Sequence, residues 1–183
     1  FYGIGPQSLD SMEEDYTPRN VFLFLSLLRK IGSNFHVGIQ YHLIDWRLME
    51  VEAGGQLDMM GIRGSEKGTV SGLGLVINRD TRDHIYNPSR GEWMDFNVRF
   101  YRKLFGSTHR FTNLNLDLRK YIPLFSRSVF AARLLLQHQY GAVPFMEMAR
   151  MGGPNLMRGY FEGRFRDKNM IALQTEYRFP ISG

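Results

Sequence analysis

Apolar and polar side chains alternate with a period of two along most of this 183-residue chain. Because successive side chains of an extended strand point to opposite faces of a sheet, this period predicts β-strands. No window shows the 3.6-residue apolar period of an amphipathic helix. The alternation predicts seven full strands, and residues 1–5 resemble the end of another. The full strands cover residues 21–30, 35–43, 69–80, 94–101, 113–119, 129–140 and 170–179.

The two faces of the predicted strands allow two interpretations. A membrane barrel points its apolar face to lipid, whereas a soluble sandwich or lipocalin-like barrel points that face into its core, where it binds an apolar ligand. Charges of both signs in mid-strand are typical of a polar barrel lumen and favour the membrane interpretation. These charges are Asp95, Arg99, Asp117, Arg119, Arg133, Glu176 and Arg178. The side chains then expected to face lipid are Leu73, Leu75, Ile77, Leu114, Leu116, Leu118, Leu134 and Leu136.

The connections alternate between short and long. Outer-membrane barrels have short periplasmic turns and longer extracellular loops. Residues 31–34, 81–91 and 122–128 are the predicted turns, and residues 6–20, 49–68, 103–109 and 141–169 are the predicted extracellular loops. Aromatic residues near strand ends, among them Trp46 and Trp93, suit the interfacial girdles of such a barrel. We expect an open, curved sheet with unpaired edges near residue 21 and at residue 170 or beyond.

Composition and charge exclude several classes of function. Lys and Arg are scattered among acidic residues despite a formal charge of +5, which argues against nucleic-acid binding. The absence of cysteine excludes thiolate metal sites and cysteine nucleophiles. No nucleophile turn or phosphate loop occurs, and His36 and His42 are interpreted as solvated lumen histidines without further metal ligands. We therefore expect no catalytic residue, no metal and no cofactor. Because the first residue is Phe1 rather than Met, we expect the chain to be a fragment.

The long connection 141–169 carries the most distinctive motif. Arg158, Gly159 and Tyr160 follow a glycine-rich turn, and Glu176 faces inward on the strand that returns afterwards. A guanidinium binds a carboxylate through two parallel hydrogen bonds, so these residues predict a loop-locking ion pair between Arg158 and Glu176. The alternative is a solvated loop arginine. Long ordered loops are usually functional, and we expect this loop to fold into the lumen.

A second motif follows the predicted strand 69–80. Asp80, Arg82 and Asp83 flank a short turn that Pro88 and Gly91 close. Aspartate side chains accept hydrogen bonds from nearby backbone amides, so the motif predicts a small turn network. A plain turn without a functional role is the alternative.

These motifs, in this order, resemble the BamA/TamA superfamily of bacterial outer-membrane β-barrels, also called the bacterial surface antigen family, particularly its Bacteroidetes variants. The resemblance covers most of the chain. The segments that carry it are residues 1–5, 71–74, 80–83, 141–145, 152–153, 158–160, 164–167 and 176–180. It implies that residues 1–183 form one partial barrel domain, running from the end of the fifth strand through the twelfth of sixteen. Together with the alternation it predicts an all-β fold, an antiparallel transmembrane β-barrel segment.

The resemblance also implies a function for the parent protein. It would insert or translocate proteins at the bacterial outer membrane, without enzymatic activity, through a weak lateral seam where substrate strands pair with the barrel edge. The implied partners are outer-membrane lipid, unfolded outer-membrane or exported proteins, and periplasmic or lipoprotein partners bound through domains outside this chain. A barrel that anchors a fused exported enzyme, as in patatin-like lipase fusions, is the alternative from another class.

Overall fold

The computed structural model of the protein describes residues 1–181, with only the backbone at position 126. Its strands are β1 Tyr16–Ile31, β2 Phe35–Val51, β3 Lys67–Asp80, β4 Gly91–Tyr101, β5 Phe111–Pro123, β6 Val129–Gly141, β7 Ala149–Met151, β8 Phe165–Asp167 and β9 Asn169–Arg178. One short helix, α1, spans Gln56–Met59. Four 3-10 turns cover Asp10–Met12, Lys103–Phe105, Phe125–Arg127 and Phe145–Glu147. The all-β prediction is confirmed.

Seven strands form one antiparallel sheet in the order β1-β2-β3-β4-β5-β6-β9, and β7 pairs with β8 in a separate ribbon. The sheet is open, because β1 and β9 lie at its edges and do not pair with each other. This confirms the predicted seven full strands and their unpaired edges. β1 and β2 run for 16 and 17 residues and extend well beyond the predicted segments 21–30 and 35–43.

The outer face of the sheet is apolar and exposed, while polar side chains are buried on the inner face. Leu75 on β3 is 58% exposed, whereas Gln139 on the inner face of β6 is only 2% exposed. None of the eight side chains expected to face lipid is buried. A soluble barrel would bury these leucines in a closed core, so the lipocalin-like alternative is wrong and the membrane-barrel fold is confirmed.

The described residues contain no helix that is long and apolar enough to cross a membrane.

Residues 1–5 do not form the end of a strand, contrary to the prediction. Gly3 and Gly5 both have φ of +106°, a left-handed region that interrupts extended backbone. Gly5 forms only an isolated bridge to Arg166, and Phe1 and Tyr2 are buried. Residues 1–5 are therefore one of the non-strand segments that cover one end of the sheet.

The hydrophobic core lies on the inner face, at the end of the sheet that carries the long connections. Trp46 and Val70 from β2 and β3 pack with Val143 and Met148 from the connection after β6. The same cluster includes Tyr101 and Phe111, whose rings stack with centroids 4.2 Å apart. Trp46 is thus buried within the core, which corrects its assignment to an outer girdle. The core joins the sheet to the segments that cover it.

We call this end of the sheet the loop end. The other end, which carries the connections 32–34, 81–90 and 124–128, is called the turn end.

Candidate functional site

Residues 142–168 connect β6 to β9 and cover the inner face of the sheet; we call them the inner loop. Phe145 in this loop is completely buried, and its backbone amide donates to the carbonyl oxygen of Arg63 at 2.9 Å. Gln139 on β6 donates from Nε2 to the carbonyl oxygen of Glu147 at 2.7 Å. The loop therefore lies against the inner wall, which corresponds to the predicted connection 141–169.

Two arginines tie the inner loop to the other covering segments. The Arg164 guanidinium donates to Asp10 Oδ1 at 2.7 Å and to Ser8 Oγ at 2.8 Å. The buried Arg166 donates to the carbonyl oxygen of Phe145 at 3.0 Å and to Tyr16 Oη at 3.3 Å. In the sequence, residues 164–167 contributed only to the family resemblance, and these contacts were not predicted. Ser8, Asp10 and Tyr16 lie about 150 residues away from these arginines in sequence, a separation that no local pattern reveals.

The tip of the inner loop, residues 154–160, docks on β6 and β9 through backbone carbonyls. Gln174 Nε2 donates to the carbonyl oxygens of Asn155 and Leu156, at 3.2 and 3.1 Å. Arg133 Nη1 reaches the same Asn155 oxygen at 3.5 Å. A cavity of about 630 Å³ lies between the tip and the wall. Its charged lining residues are Arg119, Arg133, Arg158, Glu176 and Arg178.

The predicted ion pair between Arg158 and Glu176 is not formed, although both residues line this cavity. Glu176 instead accepts two hydrogen bonds from Arg178, at 2.9 and 3.1 Å. Arg178 lies two residues further on the same face of the same strand, so it reaches the carboxylate without any loop closure. Arg158 Nε donates to the carbonyl oxygen of Pro154 at 3.4 Å. The neighbouring Gly159 has φ of +96°, and Tyr160 is exposed.

Three charged side chains of the inner wall, Asp117, Arg119 and Arg133, are paired with one another. The Asp117 carboxylate accepts two hydrogen bonds from Arg119, at 3.0 and 2.7 Å, and two from Arg133, at 3.2 and 2.9 Å. Arg133 is thereby held in place while it also reaches Asn155 at the loop tip. The loop tip thus docks on a preorganised charged network.

The turn motif forms two local groups of hydrogen bonds. Arg82 donates from Nε and Nη2 to the two oxygens of Asp80, both at 2.9 Å. Asp83 Oδ1 accepts from the backbone amide of Ser89 at 2.9 Å, and the Ser89 hydroxyl bonds to the other Asp83 oxygen. The Arg82 guanidinium also lies over the Trp93 ring, 4.7 Å from its centroid. These contacts hold the connection between β3 and β4 in one conformation.

A buried polar cluster lies beneath the inner loop. His42 is only 7% exposed, and its Nδ1 lies 2.7 Å from the Tyr101 hydroxyl and 3.9 Å from Glu147 Oε2. The interpretation of His42 as a solvated lumen histidine is therefore wrong. Burial raises the pKa of the Glu147 carboxyl to about 7, and Arg99 and Arg150 oppose this effect. The stability of the docked loop is thus linked to proton binding.

We expect titration of the Glu147 carboxyl to make the docked inner loop less stable as pH rises from about 4.5 to about 7, and Glu147→Gln to remove this contribution. A carboxyl group with a higher pKa in the folded state binds more protons there, so stability falls between the two pKa values. Proteolysis of the loop, compared at about pH 5 and about pH 8, measures the effect. Glu162→Gln is the control, because the Glu162 carboxylate is exposed. An unchanged pH dependence in Glu147→Gln would contradict the assignment.

Within residues 1–181, no cluster of three or more histidine, cysteine, aspartate or glutamate side chains has an arrangement that could hold a metal ion.

Comparison with known proteins identifies one family and one fold. A model of the Omp85 superfamily domain matches residues 9–183. The crystal structure of BamA from Haemophilus ducreyi lacking POTRA domains 1-3 is similar with a TM-score of 0.72 and 16% sequence identity. The match covers 90% of this chain and 38% of that chain, so the described chain spans well under half of the BamA structure. At this identity the structural similarity shows a shared fold. No curated protein matches the chain.

Proposed function

We propose that this chain, which belongs to the Omp85 superfamily, forms part of the wall of a BamA/TamA-type barrel. The intact barrel would insert or translocate proteins at the bacterial outer membrane. The observation that carries the proposal is the inner loop, docked on the inner wall of an open sheet whose outer face is apolar. The family assignment confirms the predicted resemblance.

The docked loop supports a mechanism in which substrates use the barrel wall rather than its interior. Residues 142–168 cover the inner face, and Phe145 and Met148 fill space at the loop end. A lumen occupied in this way favours passage at a strand edge, where an unfolded outer-membrane or exported protein adds its own strand by backbone hydrogen bonding. This part of the barrel would supply the rigid wall and the inner loop, and its outer face would contact outer-membrane lipid. It would act without a cofactor and without an enzymatic step. Periplasmic or lipoprotein partners would bind through other parts of the intact protein.

The motif residues have distinct proposed roles. Gln174 and Arg133 hold the loop tip in the described arrangement, while Arg158, with Gly159 and Tyr160, belongs to the tip they hold. Glu176 and Arg178 form part of the wall of the cavity beneath it. At the turn end, the hydrogen bonds of Asp80, Arg82 and Asp83 would fix the spacing of β3 and β4.

Gln174→Ala is expected to loosen the loop tip and to slow the assembly of a reporter outer-membrane protein by the intact barrel in proteoliposomes. The substitution removes the two hydrogen bonds of Gln174 to the loop tip, each contributing about 1 kcal/mol, and its longer contact with Arg133. Arg158→Ala should leave the tip docked, because the 3.4 Å contact that it removes is weak. Proteolysis at residues 155–161 reports the state of the tip separately from reporter assembly.

Thr175→Ala is the matched control, since Thr175 is the next residue of β9 and points to the opposite face. It should match the parent protein in both assays. Equal effects of Gln174→Ala and Thr175→Ala would contradict the proposed docking role. A barrel that only anchors a fused exported enzyme would insert normally yet leave reporter assembly at the rate of lipid alone, which would overturn the proposed function.

A further inference from the structure

Three charged side chains share the outer face of the sheet near its turn end. Glu92 on β4 accepts from Lys120 Nζ at 2.8 Å and also pairs with Arg79 on β3. Strand register places them on one face, with Arg79 opposite Met94 and Glu92 opposite Lys120. Two cations therefore share one carboxylate, which leaves this patch with a net charge of about +1 at neutral pH.

An apolar depression of about 330 Å³ lies beside these charges. It exists because Ala132 on β6 stands in register between Lys120 and Thr175, where its methyl group leaves space. The side chains of the adjacent outward-facing row are much larger and form one wall of the depression; they are Met94, Leu118, Leu134 and Leu173. The outward-facing residues that line the depression are Arg79, Glu92, Met94, Leu118, Lys120, Ala132, Leu134 and Leu173.

The depth of the patch suits the boundary of a bilayer. In the next row of outward-facing side chains toward the turn end, Ile122 and Tyr177 flank Phe130. This row therefore carries two aromatic rings, as do the aromatic girdles of membrane barrels at the edge of the bilayer. Lys120 lies one row inside this aromatic row and Arg79 two rows inside it. Long cationic side chains extend from such positions to reach lipid phosphates. The Lys120 side chain is 56% exposed, and Glu92 occupies one of its three donor hydrogens.

We propose that this site binds one anionic glycerophospholipid of the periplasmic leaflet, with its phosphate at Lys120 and Arg79 and one acyl chain over Ala132. The bilayer must cover an exposed apolar face, and the positive patch beside the depression complements a phosphate. The net positive charge selects phosphatidylglycerol over phosphatidylethanolamine, whose own ammonium group competes with Lys120 for the phosphate. The assignment of the leaflet follows from the orientation in the proposed function, whereas the site itself follows from the outer face.

The test is native mass spectrometry of the intact barrel protein, released from bilayers of phosphatidylethanolamine with a minor share of phosphatidylglycerol. The parent protein should retain phosphatidylglycerol preferentially. Lys120→Gln should lower that retention roughly fivefold, the effect of one cation near a lipid surface. Ala132→Leu, which fills the depression without changing charge, should lower it as well. Reporter assembly is measured separately, so loss of the lipid site and failure of the proposed function are distinguishable.

Two matched variants control for charge and for substitution at position 132. Arg29→Gln removes an outward-facing cation near the turn end of β1 and should retain lipid like the parent protein. Ala132→Ser keeps a small side chain in the depression and should also behave like the parent. Equal retention of the two lipids by the parent, or retention in Lys120→Gln or Ala132→Leu equal to that of the parent, would overturn the proposal.

Discussion

Leu116→Arg in the middle of β5 is expected to destabilise the membrane-inserted barrel by about 2–4 kcal/mol, the cost of an arginine on the lipid face at the bilayer midplane. Leu116 lies on the outer face, in register between Phe96 on β4 and Leu136 on β6. An arginine there has apolar neighbours on both adjacent strands. Urea-induced unfolding of the intact barrel from lipid vesicles gives the free energy directly.

Asn115→Arg provides the matched control one residue away. Asn115 points to the inner face, where its Nδ2 donates to Asn113 at 2.6 Å and to Asn97 at 3.0 Å. Losing these hydrogen bonds costs about 1 kcal/mol each, while the new guanidinium stays in a polar setting. We therefore expect the control to lose at most about 2 kcal/mol, the lower limit of the loss expected for Leu116→Arg. Equal losses would mean that the outer face does not contact lipid.

Phe145→Ala is expected to detach the inner loop at a cost of about 3–5 kcal/mol, the usual range for removing a buried aromatic ring. Phe145 is 0% exposed. Its ring meets Tyr16 edge-on at 5.7 Å between centroids, and the Arg166 guanidinium lies 5.1 Å from its centroid. The substitution leaves a cavity where the inner loop meets the start of β1. Limited proteolysis of residues 142–168 and the midpoint of thermal unfolding measure the effect.

Phe161→Ala tests whether any aromatic residue of the same loop gives this result. Phe161 is 76% exposed, so its removal should change stability by no more than about 0.5 kcal/mol. Rapid proteolysis in both variants, or in neither, would contradict the assignment of Phe145 as the anchor of the loop.

The strands could be predicted because one face of the sheet meets lipid and the other meets polar groups, so apolar and polar residues alternate along each strand. Leu114, Leu116 and Leu118 show it clearly on β5. The extra lengths of β1 and β2 could not be predicted in this way. Asp45 and Arg47 fall on the outward face of β2 and end the apolar alternation, yet backbone pairing with β1 continues to Val51. Backbone hydrogen bonds do not require an apolar face, so strand ends outside a membrane leave little trace in the sequence.

The candidate site was only partly predictable. Contacts within the turn motif can be expected from sequence, because Asp80 and Arg82 are only two residues apart and local geometry fixes such contacts. The partner of Arg158 depends on the path of a long loop, which the sequence does not determine. Local geometry did favour Arg178 as the partner of Glu176, because residues two apart on a strand share a face. The hydrogen bonds of Gln174 to backbone carbonyls could not be predicted, because every residue type supplies the same backbone carbonyl group.

The contacts of Arg164 and Arg166 have a consequence for the order of folding. The hairpins of the sheet join segments that are close in sequence, whereas Arg164 bonds to Ser8 across 156 residues and the backbone of Arg166 bridges to Gly5. Loop-closure entropy favours contacts at short separation, so the hairpins should form early and the cover late. The inner face therefore stays accessible to water until the inner loop has docked and residues 164–166 have been brought back to the first ten residues. Before the inner loop docks, the sheet exposes its core residues Trp46 and Tyr101, which makes the unfinished barrel a target for chaperones and proteases.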